Sequence, residues 1–132
     1  FRSISKVMSK VLQKVKRFAL TELSLPENRA KKQNVVAICF DKQAKILSVS
    51  SNSFCKSSAT QALIAKKVGS AARTYLHAEV NCLLRWRRFS AEPIYGLYVA
   101  RMDKAGNLTN SKPCSICSAA IKEFNIKKVY FT

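Results

Sequence analysis

A histidine, a glutamate and a pair of cysteines form the pattern in this sequence that is best suited to chemistry. His77 and Glu79 stand two residues apart, and Cys114 and Cys117 follow as a Cys-x-x-Cys pair. Either half alone is a weak signal, since His-x-Glu occurs by chance and Cys-x-x-Cys also serves as a redox pair. Together they supply one imidazole and two thiolates, which are good zinc ligands and leave a fourth tetrahedral position for water. The sequence therefore predicts a Zn²⁺ site made of His77, Cys114 and Cys117, with Glu79 beside it.

Both halves of the pattern are expected at the start of a helix. The unpaired N–H groups of a first helical turn carry partial positive charge, which lowers the pKa of a cysteine placed there. Pro113 suits such a start, because the N–H that proline lacks is not needed there. Side chains two residues apart on a helix point about 200° away from each other. His77 and Glu79 can therefore share one site only if His77 occupies the non-helical cap position.

The elements that must position these residues are predicted from hydrophobic periodicity. Residues 4–20 carry an apolar stripe at helical spacing that includes Phe18, and we expect this basic amphipathic helix to cover one face of a sheet. The helical pattern breaks at Leu25-Pro26. Further helices are predicted at 60–68, 77–89 and 113–124. Strands are predicted at 35–40, 46–49, 94–100 and 128–132, and the first two strands should form a hairpin.

The last part of the chain predicts a parallel pair of strands. Strand, helix and strand over residues 94–132 form a βαβ unit, whose two strands run in the same direction. The run from Ile94 to Ala100 is almost continuously apolar, which indicates a strand covered on both faces. The polar segments 50–58 and 103–112 are expected to be loops.

Length and composition predict one globular domain. The 132 residues leave no room for a second sizeable core, and 48% of them are hydrophobic. No apolar run approaches the roughly 20 residues needed to span a bilayer. Five cysteines are an odd set for a disulfide scaffold and indicate a reducing, cytoplasmic location. The chain begins at Phe1 instead of Met, which fits a processed chain, a trimmed chain or a fragment.

The net charge is the unusual bulk property of the chain. Twenty-four Lys and Arg against seven Asp and Glu give a formal charge of +17, and such a field attracts polyanions. Trp86 stands among Arg85, Arg87 and Arg88, which are residue types that stack on and grip a single strand. Single-stranded nucleic acid is therefore one predicted partner. The alternative is a solvated basic surface, with Trp86 packed under the end of a helix.

The segment His77-Ala78-Glu79 followed by Pro113-Cys114-x-x-Cys117 resembles the zinc signature of the cytidine and deoxycytidylate deaminase superfamily. The resemblance covers residues 35–132, which would form the zinc deaminase core behind an N-terminal helix and linker at 1–32. It implies a three-layer α/β/α sandwich with a mixed sheet and a parallel βαβ unit at the C-terminus. Family members often oligomerise, and the chain ends as its last predicted strand finishes. A homo-oligomer is therefore expected.

The chemistry that the resemblance implies is hydrolytic deamination of a nucleobase with Zn²⁺ as cofactor. Glu79 is then the catalytic residue, which takes a proton from water and gives it to the ring and to the leaving amine. The backbone N–H of Ala78 or of Cys114 would fix the water or the base. Asn52 would contact the sugar.

Three functions stay open on the sequence alone. The first is deamination of cytosine in a nucleoside or nucleotide, with Lys56 or Arg73 as a guess for a phosphate contact. The second is a deaminase that acts on single-stranded DNA or RNA, and the third is a non-catalytic, zinc-stabilised binding module. The presence of Glu79 argues against the third, since a structural zinc needs no such carboxylate. Adenine stays open as the base, because adenine deaminases of the superfamily share the zinc motif. Among the other cysteines, Cys55 is not expected to bind metal and Cys82 is expected to face the core.

Overall fold

A mixed β-sheet lies between two layers of helix. The computed structural model describes residues 2–3, 10–43, 45–52, 61, 63–64, 66 and 77–132. The strands are β1 (Arg2–Ser3), β2 (Asn34–Phe40), β3 (Ile46–Ser51), β4 (Gly96–Met102), β5 (Leu108–Thr109) and β6 (Lys128–Phe131). The helices are α1 (Lys10–Leu23), α2 (Pro26–Arg29), α3 (Ala78–Phe89) and α4 (Ser115–Glu123). No helix in these ranges is both long enough and apolar enough to cross a bilayer.

The strand order in the sheet confirms the predicted hairpin and the predicted parallel pair. The order is β1-β6-β4-β2-β3, and β5 pairs with β4 beside this path. β2 runs antiparallel to β3, with Ile38 opposite Val49, and antiparallel to β4, with Ile38 opposite Tyr98. β4 and β6 run parallel, with Tyr98 opposite Tyr130, and α4 connects them. This βαβ unit is the one expected over residues 94–132.

Each face of the sheet has its own hydrophobic core, which confirms the three-layer architecture. Alternate residues of a strand point to opposite faces, and neighbours in β2 accordingly divide between the two cores. Ile38 packs with residues of α1 such as Val15 and Leu23. Cys39 packs on the other face with residues of α3 and α4, among them Leu83 and Ile121.

Several element boundaries differ from the prediction. α1 continues to Leu23, which is fully buried, and Phe18 is 40% exposed although it was expected on the buried stripe. The apolar stripe of this helix is wider than the face that meets the sheet, so its margin stays in solvent. A single helical turn, α2, begins at Pro26 where only a break was predicted. β4 begins two residues later than predicted, at Gly96.

Two short strands were not predicted. β5 lies inside the expected loop 103–112, after a turn in which Gly106 has a φ of 91°, a conformation that favours glycine. β1 pairs in parallel with β6, with Arg2 opposite Tyr130. A pair of residues is too short to show a period of two, so the sequence gives no signal for either strand. Of the predicted helix 60–68, the described residues Gln61, Leu63, Ile64 and Lys66 are helical, and the others lie outside the described residues.

Gly96 is required by a close approach between β4 and β2. It lies opposite Phe40, and a Cβ built on it would be 2.3 Å from Cζ of the Phe40 ring. Phe40 is only 2% exposed, so its ring has little room to move. We expect Gly96→Ala to lower the free energy of unfolding by about 1–3 kcal/mol, the usual cost of overpacking a core. Equilibrium unfolding in urea measures this change. The double variant Gly96→Ala/Phe40→Leu should lose less stability than the two single changes added together, and an unchanged Gly96→Ala variant would contradict the packing argument.

Candidate metal and active site

His77 lies at the N-cap of α3, as its spacing to Glu79 predicts. Its φ of −72° and ψ of 148° are extended, and α3 begins at the next residue. The carbonyl of His77 accepts the first helical hydrogen bond, from the N–H of Asn81 at 2.9 Å. The His77 N–H donates to Oε1 of Gln61, also at 2.9 Å. The cap position lets His77 and Glu79 face one site from the start of the same helix.

Cys114 lies at the N-cap of α4 and Cys117 lies in the first turn of this helix. Cys114 is extended, with a φ of −72° and a ψ of 176°, and its carbonyl accepts from the N–H of Ser118 at 2.8 Å. Pro113 precedes the cap, and the helix begins at Ser115, two residues later than predicted. The starts of α3 and α4 both reach the same end of the sheet, and they bring the imidazole to the two sulfurs.

The distances between the three donor atoms fit a zinc ion. Nδ1 of His77 is 3.2 Å from Sγ of Cys117 and 3.5 Å from Sγ of Cys114. One ligand atom from each of the three residues lies within 4.8 Å of the others. Zinc bonds of about 2.0–2.1 Å to nitrogen and about 2.3 Å to sulfur at a tetrahedral angle separate the two donor atoms by about 3.6 Å. Two thiolates and an imidazole are also a donor set that suits Zn²⁺.

The two thiols interact strongly with each other. The hydrogen bond from the thiol of Cys117 lowers the pKa of Cys114 to about 3. The same contact, together with burial, raises the pKa of Cys117 well above its usual range. The lowered pKa favours the thiolate form of Cys114. A cation between the sulfurs would favour the thiolate form of Cys117 as well, because a metal deprotonates the thiols that coordinate it.

Glu79 is a carboxylate in a protected environment next to these donors. It is only 7% exposed, and this burial raises its pKa. A hydrogen bond from its own backbone N–H, the contact with the Cys117 thiol and the charge of His77 lower the pKa of Glu79, but each of these effects is weaker than burial. A carboxyl group whose pKa is raised can both accept and return a proton.

A pocket of about 290 Å³ opens in front of these residues. This volume is near the lower end of the range of roughly 300–1,000 Å³ typical of small-molecule sites. Its lining residues are Gln33, Val35, Asn52, His77, Ala78, Glu79, Arg101, Asn110, Ser111, Lys112 and Cys114. The structure therefore brings the predicted residues of the site to one place, with Cys117 directly behind His77 and Cys114.

Asn52 lines the pocket, and its side chain also has a structural role. Its Oδ1 accepts from the N–H of Val35 at 3.3 Å, and its Nδ2 donates to the carbonyl of Gln33 at 3.0 Å. The ammonium of Lys31 donates to the carbonyl of Asn52. These bonds continue the β2–β3 pairing beyond Ser51 and fix the wall of the pocket.

The loop that precedes Cys114 is held by Ser111. The Ser111 hydroxyl donates to the carbonyl of Val99 at 2.8 Å and lies 2.9 Å from Oγ1 of Thr132. The N–H of Ser111 donates to the carbonyl of Thr132 at 2.9 Å. The middle of β4 and the residue after β6 therefore set the position of the loop that precedes Cys114.

Several polar and charged residues of the site were missed by the sequence analysis. Gln61, which is 2% exposed, holds the backbone of His77, and Arg101 and Lys112 line the pocket. None belongs to the zinc signature. Lys112 stands two residues before Cys114, whereas the fold brings Gln61 from a helical segment and Arg101 from β4. The earlier guesses for a phosphate contact, Lys56 and Arg73, lie outside the described residues.

Cys39 and Cys82, the two other cysteines in the described part of the chain, do not contribute to the donor set. The sulfurs of Cys39 and Cys82 lie 2.9 Å apart, and both residues are fully buried in the core between the sheet and α3. The prediction that Cys82 faces the core is confirmed. Cys55 lies outside the described residues.

Comparison with solved structures identifies proteins of the same fold. A dCMP deaminase from the cyanophage S-TIM5, solved with dCMP and dUMP, superposes with a TM-score of 0.58 at 24% identity. The match covers 96% of this chain and 83% of that chain. The apo form of the cyanophage enzyme gives a TM-score of 0.51 at 21% identity over 89% of this chain and 82% of that chain.

Comparison with sequences gives the family. A search of curated proteins finds no significant match. A family model described as the cytidine and deoxycytidylate deaminase zinc-binding region matches residues 9–132, which include the donors and Glu79. The chain therefore belongs to the cytidine and deoxycytidylate deaminase family, whose zinc-binding character agrees with the donor set His77, Cys114 and Cys117.

Proposed function

We propose that this protein hydrolyses the amine from cytosine in a nucleotide, producing uracil and ammonia. The observation that carries the proposal is the meeting of a zinc donor set with a buried carboxylate at one pocket. His77, Cys114 and Glu79 line this pocket, and Cys117 completes the donors. A zinc site with only a structural role has no use for such a carboxylate, and it usually has a fourth protein donor.

In this proposal Glu79 carries the protons. His77, Cys114 and Cys117 would hold a zinc ion, which would supply Lewis-acid activation of water near neutral pH. Glu79 accepts a proton from the attacking water, passes it to the ring nitrogen and later protonates the leaving amine. The oxygen of water stays on the ring carbon as a carbonyl, one hydrogen of water stays on the ring nitrogen, and the other leaves with the amine as ammonia. The raised pKa of Glu79 supports this role, because it favours the protonated form that the carboxyl group must adopt between accepting a proton and giving it away.

Backbone and amide groups hold the substrate in the same proposal. Ala78 occupies the first position of α3, where an N–H has no partner inside the helix. We assign this N–H, with that of Cys114, to the base or the attacking water. We assign Asn52 to the sugar. The second lone pair of its Oδ1 and the second hydrogen of its Nδ2 are the groups that would make this contact, since the first ones bind the backbone.

Two cations in the pocket favour a nucleotide over a nucleoside. Arg101 at the end of β4 and Lys112 in the loop before Cys114 both line the pocket. A phosphate on the sugar would offer both of them a charge-assisted hydrogen bond. The dCMP and dUMP bound by the structurally similar cyanophage enzyme support a pyrimidine base.

The test of the proposed reaction is ammonia release by zinc-loaded protein. Cytidine, deoxycytidine, their monophosphates, the matching adenine compounds and a cytosine-containing single-stranded oligonucleotide should be compared. We expect turnover of a cytosine monophosphate, with uracil as the product. Turnover of adenine compounds alone would overturn the assignment of the base. If zinc-containing protein releases ammonia from none of these substrates, the proposed activity is wrong.

An oligonucleotide substrate is the second candidate function, and the formal charge of +17 favours it. The same assay separates the two candidates. If only the oligonucleotide releases ammonia, the protein is a polynucleotide deaminase and the assignment of a free nucleotide is wrong.

The phosphate contact predicts a selective effect of the two pocket cations. We expect Arg101→Ala and Lys112→Ala each to raise KM for a cytosine monophosphate about tenfold, since a hydrogen bond to a charged group contributes about 1.5–3 kcal/mol. KM for the corresponding nucleoside should change by less than a factor of about two, because the nucleoside has no phosphate for these cations to bind. Steady-state kinetics with both substrates measure the difference.

Lys122→Ala is the matched control for this prediction. Lys122 is an exposed cation on α4 that does not line the pocket, so its loss removes the same charge without the contact. An equal rise in KM for the control variant would indicate general attraction by the basic surface. An equal rise for nucleoside and nucleotide would assign the cations to pocket structure instead of phosphate binding.

A further inference from the structure

The C-terminal end of α3 carries an aromatic and cationic surface that the proposed reaction does not use. α3 begins beside the zinc donors and ends at Phe89, about 16 Å away at 1.5 Å per residue. Phe89 is 86% exposed, which is unusual for a large apolar side chain. Arg85 and Arg88 are exposed on the same end of the helix. We call Arg85, Trp86, Arg88 and Phe89 the α3 surface.

The two aromatic rings of the α3 surface form a stacked platform. Trp86 and Phe89 stack with ring centroids 6.3 Å apart and an interplanar angle of 22°. Nε1 of Trp86 donates to the carbonyl of Glu92 at 2.9 Å, which holds the indole in place. Trp86 is half-buried, which agrees with the predicted alternative that it packs under the end of a helix. Phe89 extends the platform into solvent. A flat ring held in this way offers its outer face to another planar group.

A groove of about 370 Å³ runs along this platform, between α3 and the edge strand β3. Its lining residues are Leu47, Ser48, Val49, Arg85, Trp86 and Phe89, and none of these described residues is acidic. Nη1 of Arg85 reaches the carbonyl of Val49 at 3.5 Å, which places this cation over the groove. Arg87 instead lies over the ring of Phe124, 5.0 Å from its centroid. Arg85 and Arg88 are therefore the cations that face outward beside Phe89.

We propose that the α3 surface binds an unpaired nucleic-acid strand, with a base stacked on Phe89 and phosphates bound by Arg85 and Arg88. Aromatic platforms flanked by cations bind single strands without sequence preference, because every base has a flat face and every nucleotide a phosphate. This site is separate from the pocket and does not rest on the proposed deamination.

Charge favours this occupant over a second copy of the chain. Each copy carries a formal charge of +17, so two α3 surfaces facing each other would repel, whereas a polyanion is attracted. An anionic membrane would also be attracted. However, interfacial helices bind lipid through a broad apolar face, and the apolar residues of α3, such as Val80 and Leu83, are buried in the core.

Binding of a short fluorescein-labelled oligothymidylate, followed by fluorescence anisotropy, tests the proposal. We expect Phe89→Ala to weaken binding about tenfold, since stacking on one aromatic residue contributes about 1–3 kcal/mol per base. Arg85→Ala and Arg88→Ala should each lower the slope of log affinity against log salt by about 0.7. Trp86 is the sole tryptophan of the chain, so quenching of its fluorescence by unlabelled oligothymidylate reports binding at this place. The exposure of Phe89 means that these variants should fold normally, which thermal melting checks.

The double variant Arg17→Ala/Phe18→Ala is the matched control. It removes one exposed cation and one exposed ring from α1, which covers the opposite face of the sheet. This control should bind like the wild type.

Equal losses of affinity in the control and in the α3 variants would overturn the proposal in favour of general charge attraction. If duplex DNA, whose base faces are not accessible, competes as well as unlabelled oligothymidylate, the proposed stacking of a base on Phe89 is wrong. Binding of phosphatidylglycerol vesicles without oligothymidylate binding would assign the surface to a membrane instead, and self-association lost in Phe89→Ala would assign it to a second copy.

Discussion

Replacement of Glu79 by glutamine is expected to lower kcat by about 10²–10⁴-fold, the contribution that a positioned general acid–base group makes. Glutamine keeps the shape of the side chain but cannot carry a proton between water, ring and amine. KM should change little, because the amide still fills the same space in the pocket. Ammonia release under saturating cytosine monophosphate measures the effect.

Zinc content separates this loss from a damaged metal site. Glu79 is not one of the three donors, so the Gln variant should contain as much zinc per chain as the wild type. Glutamine also removes a buried charge, since burial already disfavours the ionised form of Glu79. Its melting temperature should therefore be no lower. A Gln variant that keeps more than about a tenth of the wild-type kcat would fall outside the range of such groups and contradict the role of Glu79.

Replacement of Cys117 by serine is expected to remove zinc from the purified protein and activity with it. A hydroxyl does not provide the thiolate that the donor set needs, and only His77 and Cys114 then remain. Changes in the groups that merely orient zinc ligands cost about 10–100-fold in metal affinity, and loss of a ligand should cost more. Metal analysis of dialysed protein measures the stoichiometry. Cys114→Ser should behave in the same way.

Cys82→Ala is the control for the zinc prediction. Cys82 is as fully buried as Cys117, but its sulfur contacts Cys39 and the carbonyl of Ser48, outside the donor set. This variant should lose stability through the small cavity that it creates, while its zinc content stays unchanged. A zinc content in Cys117→Ser equal to that of the wild type would contradict the assigned donors. Loss of zinc in Cys82→Ala but not in Cys117→Ser would also contradict them.

Local pattern was enough to predict most of the elements and the cap at His77. The runs that became β2, β3 and β6 are rich in β-branched and aromatic residues, which favour strands, so their composition carries the signal. The position of His77 followed from helix geometry, because the spacing to Glu79 excludes any arrangement in which both residues lie on the helix. Pattern was insufficient at Phe18, since an apolar residue at the margin of a stripe has the same spacing as one at its centre.

The sequence by itself determined the chemistry of this protein: one imidazole, two thiolates and a carboxylate in an order that resembles a known zinc family. Only the tertiary structure decided what surrounds them. Gln61 holds His77 from a separate helical segment, and Arg101 enters the pocket from a strand paired with β2. The physical reason is that side-chain type and helical spacing are local properties, which can be read along the chain. Contacts between residues far apart in sequence depend on how two cores pack against one sheet, and no local pattern encodes them.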